Sequence, residues 1–292
     1  MVSKNKPFVS IVMPAKNAGD FLLEALQSIQ NQTYKDWELI VVDDASTDNT
    51  FKILKEFSKG NRKLRVFRNK RKRGVSFSAN LAISKAKGIF IARMDADDVM
   101  FPTRIEKQVN FLIKNKKSVA VGGQCELIDA KGEKTGEKKF PIDPERVREM
   151  IFSNIPLQQP ALMINAGRLP KDFVWYDNGT GLAEEMELLF KLFNHGDVCN
   201  LSDMVLKYRI HGKNTSLKNP KKTFYQTFKT RIIAISKYKY RPSVKGIFIS
   251  LAQLVIVSIL PNILVYPIYS FVRGLSKVYI PLLQKVKPAY NN

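Results

Sequence analysis

Short apolar runs alternate with longer amphipathic stretches over the first hundred residues. Phe8 to Met13 (FVSIVM) is rich in β-branched residues and carries no charge, the pattern of a buried strand. Behind Gly19-Asp20, the residues Leu22, Leu23, Leu26 and Ile29 fall at helical spacing. Glu38 to Val42 (ELIVV) predicts a second strand, Phe51 to Phe57 a helix and Leu64 to Arg68 a third strand. Ser76 to Lys87 predicts a helix broken at Gly88, and Ile89 to Met94 (IFIARM) a fourth strand. Strands alternating with helices predict an α/β fold with a doubly wound, mostly parallel, Rossmann-like sheet. Further on, the pattern predicts helices over Thr103 to Lys114, Val147 to Phe152 and Glu184 to Asn194. Strands are expected over Val119 to Asp129 and Val205 to Ile210.

Three polar loops follow predicted strands, at Pro14, Asp43 and Asp95. In open α/β sheets ligands bind at the carboxyl ends of strands, so this coincidence points to an enzyme. Asp95-Ala96-Asp97 sets two carboxylates two residues apart, and in extended chain such residues point to one side. Carboxylates so placed repel unless a cation lies between them, and a hard divalent ion bridging to phosphate oxygens fits. A polar turn capping the next helix is the simpler alternative. Asp43-Asp44 ends another strand, where a carboxylate can accept hydrogen bonds from a base or ribose.

Charge changes the picture in the last third. The 292 residues hold 48 Lys and Arg against 26 Asp and Glu, a net charge of +22. From Met204 onward there is no acid at all, only 16 Lys or Arg. That asymmetry asks for a polyanionic partner, an anionic membrane surface or nucleic acid. The same region contains Ile247 to Val272, IFISLAQLVIVSILPNILVYPIYSFV, which is uncharged and interrupted by Pro261-Asn262 and Pro267. A kinked, half-inserted hairpin keeps both basic flanks on one membrane face; a true span and a buried helical hairpin are the alternatives. A second basic cluster, Lys59 to Arg73, has no accompanying helix-turn-helix, zinc finger or RNP signature, so no nucleic-acid partner is expected. Hydrophobic residues make up 45% of the chain, enough for a sizeable core, and global disorder is excluded. Cys125 and Cys199 are too few for a disulfide framework or a zinc site, and read as buried thiols in a reducing compartment. No secretory signal peptide is expected at the N-terminus.

Several blocks in register carry a closer likeness: VSIVMPAKNAGDFLLEALQSIQNQTYKDWELIVVDDASTDNT, then Gly74 through Asn80, then AKGIFIARMDADDVMFPTRIEKQ, and later AEEMELLFKL and YRIHGKNTS. Together they resemble the family-two, GT-A-fold inverting glycosyltransferases over about residues 7 to 216. The resemblance implies a GT-A catalytic domain over 1–216; the charge and the apolar run beyond it make 217–292 a basic, partly hydrophobic helical extension expected to associate with membrane. It gives Pro14, Ala15 and Asn17 contacts with the nucleotide and makes Asp43 or Asp44 the base-recognising carboxylate. Gly74 and Asn80 line the donor pocket. Asp95 and Asp97 match the motif that holds a divalent metal, Mn or Mg, on the sugar-nucleotide diphosphate. Glu184-Glu185 matches a Glu-Asp pair whose second member is the general base, so Glu185 carries that role and Glu184 is the fallback. His211 matches a position near the metal or diphosphate, and Arg209 one that faces the diphosphate. Gln159 stands on the acceptor side, where the family often has His-Pro.

The implied reaction moves a sugar from a nucleotide-sugar donor, most commonly a UDP-sugar, to a hydroxyl of a glycan or lipid-linked saccharide. It would occur on the cytoplasmic side of the membrane, in surface-polysaccharide synthesis. The rivals are a nucleotidyltransferase and a basic membrane- or nucleic-acid-binding protein without catalysis. The first would need a phosphate-cradling Gly-rich loop, and none follows the first strand. The second leaves the ordered carboxylate loops unexplained.

Overall fold

A computed structural model describes residues 8–177, 183–211 and 219–272. Its sheet starts from four parallel strands, β1 (Val9–Ala15), β2 (Trp37–Asp43), β3 (Leu64–Arg68) and β4 (Phe90–Arg93). Every residue of β1 and β2 is buried, which is why both read as uninterrupted apolar runs. Helices cover both faces. Leu22, Ala25, Leu26 and Ile29 of α1 (Leu22–Gln30) and Ile105, Val109 and Leu112 of α4 (Arg104–Lys114) share one core. Leu54 of α2 (Thr50–Ser58) joins it. On the opposite face, Ala79 of α3 (Val75–Ser84) and Val147 of α5 (Pro144–Met150) share a second core. Met186, Leu189 and Phe190 of α6 (Glu184–Leu192) complete it.

The remaining strands are β5 (Val99–Met100), β6 (Ser118–Ile128), β7 (Lys134–Lys138), β8 (Met163–Asn165) and β9 (Asp197–Arg209). The order is β3-β2-β1-β4-β8-β6-β9-β5, with β7 beside β6. Here the expectation of a mostly parallel sheet needs correction. β8 runs antiparallel to both β4 and β6, β7 antiparallel to β6, and β5 antiparallel to β9. Only β6 and β9 are parallel in this half. The cause lies in the connections: β6 and β7 are joined by the tight turn at Gly132 (φ +85), which returns the chain antiparallel. Gly88, just before β4, is required by close approach. A Cβ there would lie 2.5 Å from the backbone nitrogen of Ser10, whose hydroxyl accepts the Gly88 N–H.

The C-terminal region forms α7 (Pro220–Lys237), α8 (Val244–Ile259) and α9 (Asn262–Val272). Asn219 caps α7 by accepting the Lys222 N–H, and Ser243 caps α8 by accepting that of Gly246. The end of α7 packs onto the second core through Ala234, Tyr238 and Tyr240. The Tyr240 ring lies edge-on to Phe190 at 4.9 Å, and its hydroxyl donates to the Arg148 carbonyl at 2.6 Å. The apolar run 247–272 is therefore two helices parted at Pro261, with Pro267 inside the second. None of the described helices is long and apolar enough to cross a membrane. Cys125 and Cys199 are free and buried.

Candidate active site

The three loops singled out in the sequence meet at one edge of the sheet. Pro14 and Ala15 end β1 in register with Val42 and Asp43 of β2. The Ala15 carbonyl accepts the Asp44 N–H at 2.8 Å. Asn17 adopts a left-handed backbone (φ +48), which asparagine tolerates. It clasps the second loop: its N–H donates to the Ser46 hydroxyl, and its side-chain oxygen accepts the Thr47 N–H. Ala45 is also left-handed (φ +54), a strained state for a residue with a Cβ, and it is fixed by bonds on both sides.

Asp43 and Asp44 are both committed to the protein. Asp43 Oδ2 pairs with Arg68 Nε at 2.9 Å, and Oδ1 accepts the Ser46 N–H. Asp44 accepts from Asn69 Nδ2, from the Arg73 N–H and from the Gly74 N–H, at 2.7–2.9 Å. Buried, it braces the 69–74 loop. Gly74 (φ +94) is left-handed and precedes α3. Asn80 uses its side-chain amide on the Tyr176 backbone in both directions. It clips α3 to the 176 segment.

After β4 the chain does not stay extended. Residues Ala96 and Asp97 form a turn, so Asp95, Asp97 and Asp98 come together, with a carboxylate oxygen from each within 4.8 Å of the others. The extended reading accounted for two carboxylates; the turn adds Asp98. Asp98 is 1% exposed, and its Oδ1 accepts the Arg209 N–H at 2.9 Å. Its Oδ2 is buried with no hydrogen-bond partner. Burial and the neighbouring carboxylates push Asp98 well above the usual carboxylate range, and burial raises Asp95 despite Arg93 beside it. An all-oxygen cluster with a buried, unsatisfied carboxylate atom is what a hard divalent cation requires, and these residues fit one.

His211 and Arg209 both reach this cluster, in different ways. His211 Nε2 lies 2.9 Å from Asp97 Oδ2, and its ring lies 4.8 Å from that of Phe21. Arg209 is 1% exposed and spans the site from behind. It donates to the Asp97 and Asp129 carbonyls and pairs with Glu24. Through these contacts its guanidinium holds the acidic turn in place.

Two buried arginines complete the support, and sequence reasoning missed their role. Arg93 Nη2 pairs with Asp95 Oδ1 at 2.8 Å. Arg104, 0% exposed, donates to the Arg93 carbonyl at 2.8 Å and to Gln108. The signal was present: Arg93 is the one charged residue of IFIARM, and a charge inside a buried strand must have a partner.

Glu184 and Glu185 open α6, where acids also favour the helix dipole. They face different surroundings. Glu184 is buried, accepts from the Ser76 hydroxyl of α3 and lies above its usual range through burial. Glu185 is half-buried on the wall of a cavity of about 650 Å³, which it shares with Lys138, Gln159 and Tyr208. Burial, then the charges of Asp95 and Glu184, push it up to about 8. Gln159, 4% exposed, donates to the Tyr176 hydroxyl at 3.1 Å. The arrangement thus sets the Glu185 carboxylate and the acidic turn of Asp95, Asp97 and Asp98 at the carboxyl edge of an α/β sheet.

The fold and the comparisons with known proteins place the chain among the GT-A glycosyltransferases. Residues 10–166 match the model of glycosyl transferase family 2, and the chain belongs to that family. It is a glycosyltransferase. An uncharacterized glycosyltransferase of Haemophilus influenzae is 33% identical over 222 residues, covering 73% of this chain and 68% of that protein. The O-antigen biosynthesis glycosyltransferase WbnJ of Escherichia coli is 32% identical over 213 residues, covering 71% of this chain and 81% of that one. Among solved structures, S. aureus TarS 1-349 in complex with UDP-GlcNAc aligns with a TM-score of 0.63 at 19% identity, over 78% of this chain and 66% of that one. The mannosyltransferase PcManGT of Pyrobaculum calidifontis, in complex with GDP-Man and Mn2+, aligns with a TM-score of 0.58 at 15% identity, over 93% and 85%. At these identities the likeness to the two structures is one of fold.

Proposed function

We propose that the protein is a metal-dependent inverting glycosyltransferase. It moves a sugar from a nucleotide-sugar donor, a UDP-sugar first, to a hydroxyl of a glycan or lipid-linked saccharide during surface-polysaccharide synthesis. The observation that carries this reading is Glu185 on the cavity wall, close enough to Asp95 for that charge to raise it. TarS with UDP-GlcNAc and PcManGT with GDP-Man and Mn2+ support the donor class and the metal.

In the reaction, the acceptor oxygen attacks the anomeric carbon from the face opposite the nucleotide. The new C–O bond forms as the bond to the diphosphate breaks, and the nucleoside diphosphate leaves. Glu185 takes the hydroxyl proton, and one displacement inverts the stereocentre. Burial raises the proton affinity of Glu185 and so suits it to that task. Asp95 and Asp97 would hold Mn or Mg, with Arg93 and Arg209 fixing the turn that carries them. The bound cation supplies positive charge that offsets the charge gathering on the leaving diphosphate. His211 orients Asp97, and the Asn17 and Asp44 loops shape the nucleotide pocket.

The basic C-terminal region supports a place on the cytoplasmic face of an anionic membrane. Val244, Phe248, Leu251, Val255 and Ile259 form one exposed apolar stripe on α8, with Phe248 and Ile259 more than 70% exposed. Basic residues beside such a stripe add attraction to anionic lipid.

The test is nucleotide release from a panel of nucleotide sugars with Mn2+, with and without chelator. Chelator-sensitive release from one donor is expected. Failure to bind any nucleotide sugar overturns the reading.

A further inference from the structure

The cavity that holds Glu185 continues beyond what a sugar-transfer site needs. On the side of α6, β7 and the 158–159 turn it holds the polar groups of Glu185, Lys138, Gln158 and Gln159 among apolar neighbours such as Met186 and Leu189. The wall built from α7, α8 and α9 is mostly apolar, with Phe224, Ile249, Ala252, Ile256, Val265 and Ile268, and also carries Thr223, Thr227, Arg231 and Gln253. At about 650 Å³ the space is within the ~300–1,000 Å³ range of ligand pockets. Its apolar lining comes from the same helix, α8, whose outer face carries the exposed stripe. Ile256 at 50% exposed and Ile268 at 37% line the cavity and also reach the surface. These two residues give a hydrocarbon chain an apolar way in from that surface, along a wall whose buried Arg231 is already bonded to Ser250 and Gln253.

Resting on the transferase reading above, we propose that this cavity is a lipid-chain site for the acceptor. Its ligand is an amphiphile whose saccharide head presents a hydroxyl to Glu185 and whose hydrocarbon chain lies between α7, α8 and α9. Continuity with the candidate base selects the occupant: a chain seated here is attached to whatever group reaches Glu185. A bulky peptide helix does not fit a space of this volume, and a free sugar leaves the apolar half empty. Helices α7, α8 and α9 bring Lys221, Lys222, Lys229 and Lys245 and no acid, which suits a carrier drawn from an anionic lipid surface. Seating the chain also removes orientational freedom from the acceptor, so the head arrives as an effectively intramolecular reactant.

The test is photolabelling of the full-length protein with long-chain glycosides bearing a diazirine at the chain end, one saturated and one isoprenoid, with adducts mapped by mass spectrometry. Adducts on the peptides carrying Phe224, Ile256 or Val265 are expected, and labelling by either chain supports the site and tells its two chemical sources apart. Ala252→Phe, which fills the cavity from α8, should cut that labelling about tenfold, the factor a steric penalty in the usual overpacking range produces. Thr227→Phe fills it from α7 and serves where the first variant does not fold, as judged by its melting curve. Adducts confined to the outer residues Phe248 and Ile259, or labelling unchanged in folded variants of both kinds, overturn the proposal. Labelling that appears only after removal of residues 273–292 assigns the cavity to the chain's own tail and also overturns it. Nucleotide-sugar binding is measured on the same wild-type preparation. Donor binding without chain labelling ends the lipid-site proposal alone; no donor binding ends the transferase reading.

Discussion

Arg93 Nη2 lies 2.8 Å from Asp95 Oδ1, inside a strand whose four residues are all buried. A guanidinium sunk into a core normally costs more than it returns, unless its partner is fixed and its remaining donors are used. Here the partner is fixed by a turn whose Asp97 carbonyl Arg209 holds, while Arg104 holds the Arg93 carbonyl; Nη1 donates to the Met94 carbonyl, and Nε is buried with no hydrogen-bond partner. Arg93→Met should leave the acidic turn without its buried counter-charge. The expected result is a loss of about 3–5 kcal/mol in stability together with weakened donor binding. Denaturant melts and calorimetric donor titration check it, and Arg93→Lys should recover part of the stability without the two-atom grip.

A general base works only when deprotonated. Because burial pushes Glu185 up to about 8, the rate should be full above that limb and fall as pH drops through it. With a cation beside it the limb lies below that value, since nearby positive charge favours the carboxylate. The kcat/KM profile should therefore rise between the ordinary carboxylate range and about 8. Glu185→Gln should remove that limb and lower turnover by roughly 10²–10⁴-fold. Glu184→Gln should instead loosen the contact with Ser76 and leave the limb in place.

Lys237 and Tyr238, at the end of α7, tie that helix to the one bearing the base. Lys237 Nζ reaches Asp177 at 2.8 Å and Glu187 at 3.1 Å, and Tyr238 also donates to Glu187. Hydrogen bonds from Lys191 and Lys237 hold Asp177 down to about 2 against the effect of its burial. A carboxyl depressed in the folded state contributes stability that is complete above its unfolded value, ~3.9. That contribution is lost as pH falls from there towards about 2. Asp177→Asn should flatten the acid side of the stability profile, and hydrogen exchange should show α7 opening earlier than the sheet.

The outer stripe of α8 makes a separate prediction. Phe248→Ser with Ile259→Ser should reduce sedimentation with anionic vesicles and leave donor binding unchanged. Salt should weaken the attachment of the wild-type protein too, because the basic residues contribute through screened attraction. Vesicle binding unaltered by both changes would place the attachment elsewhere.

Much of this architecture could be read from patterning. β1 and β2 are buried on both faces, so their runs are unbroken, and α1 and α4 show one apolar face each. The mixed half of the sheet was harder, because β5 and β8 have only two and three residues and carry no period of their own. The site was legible as loops at strand ends, and less so in its contacts. Asp95 and Asp97 stood out by spacing, whereas Asp98 joined them only through a turn. The bracing contacts of Arg209 were not legible, since its partners lie at Glu24, Asp97 and Asp129, scattered through the sequence. The roles of Asp44 and Asn80 likewise depend on pairings across 25–30 and 96 residues, which no local pattern encodes.

The central claim is a division of labour: Asp97 holds the donor through a cation, and Glu185 removes the acceptor proton. Calorimetric titration of Glu185→Gln and Asp97→Asn with Mn2+ and the donor picked out by nucleotide release tests it most directly. The account predicts that Glu185→Gln binds the donor with near wild-type affinity and does not turn it over, while Asp97→Asn loses cation-dependent binding. Wild-type turnover by Glu185→Gln, or unchanged cation-dependent donor binding by Asp97→Asn, would contradict it.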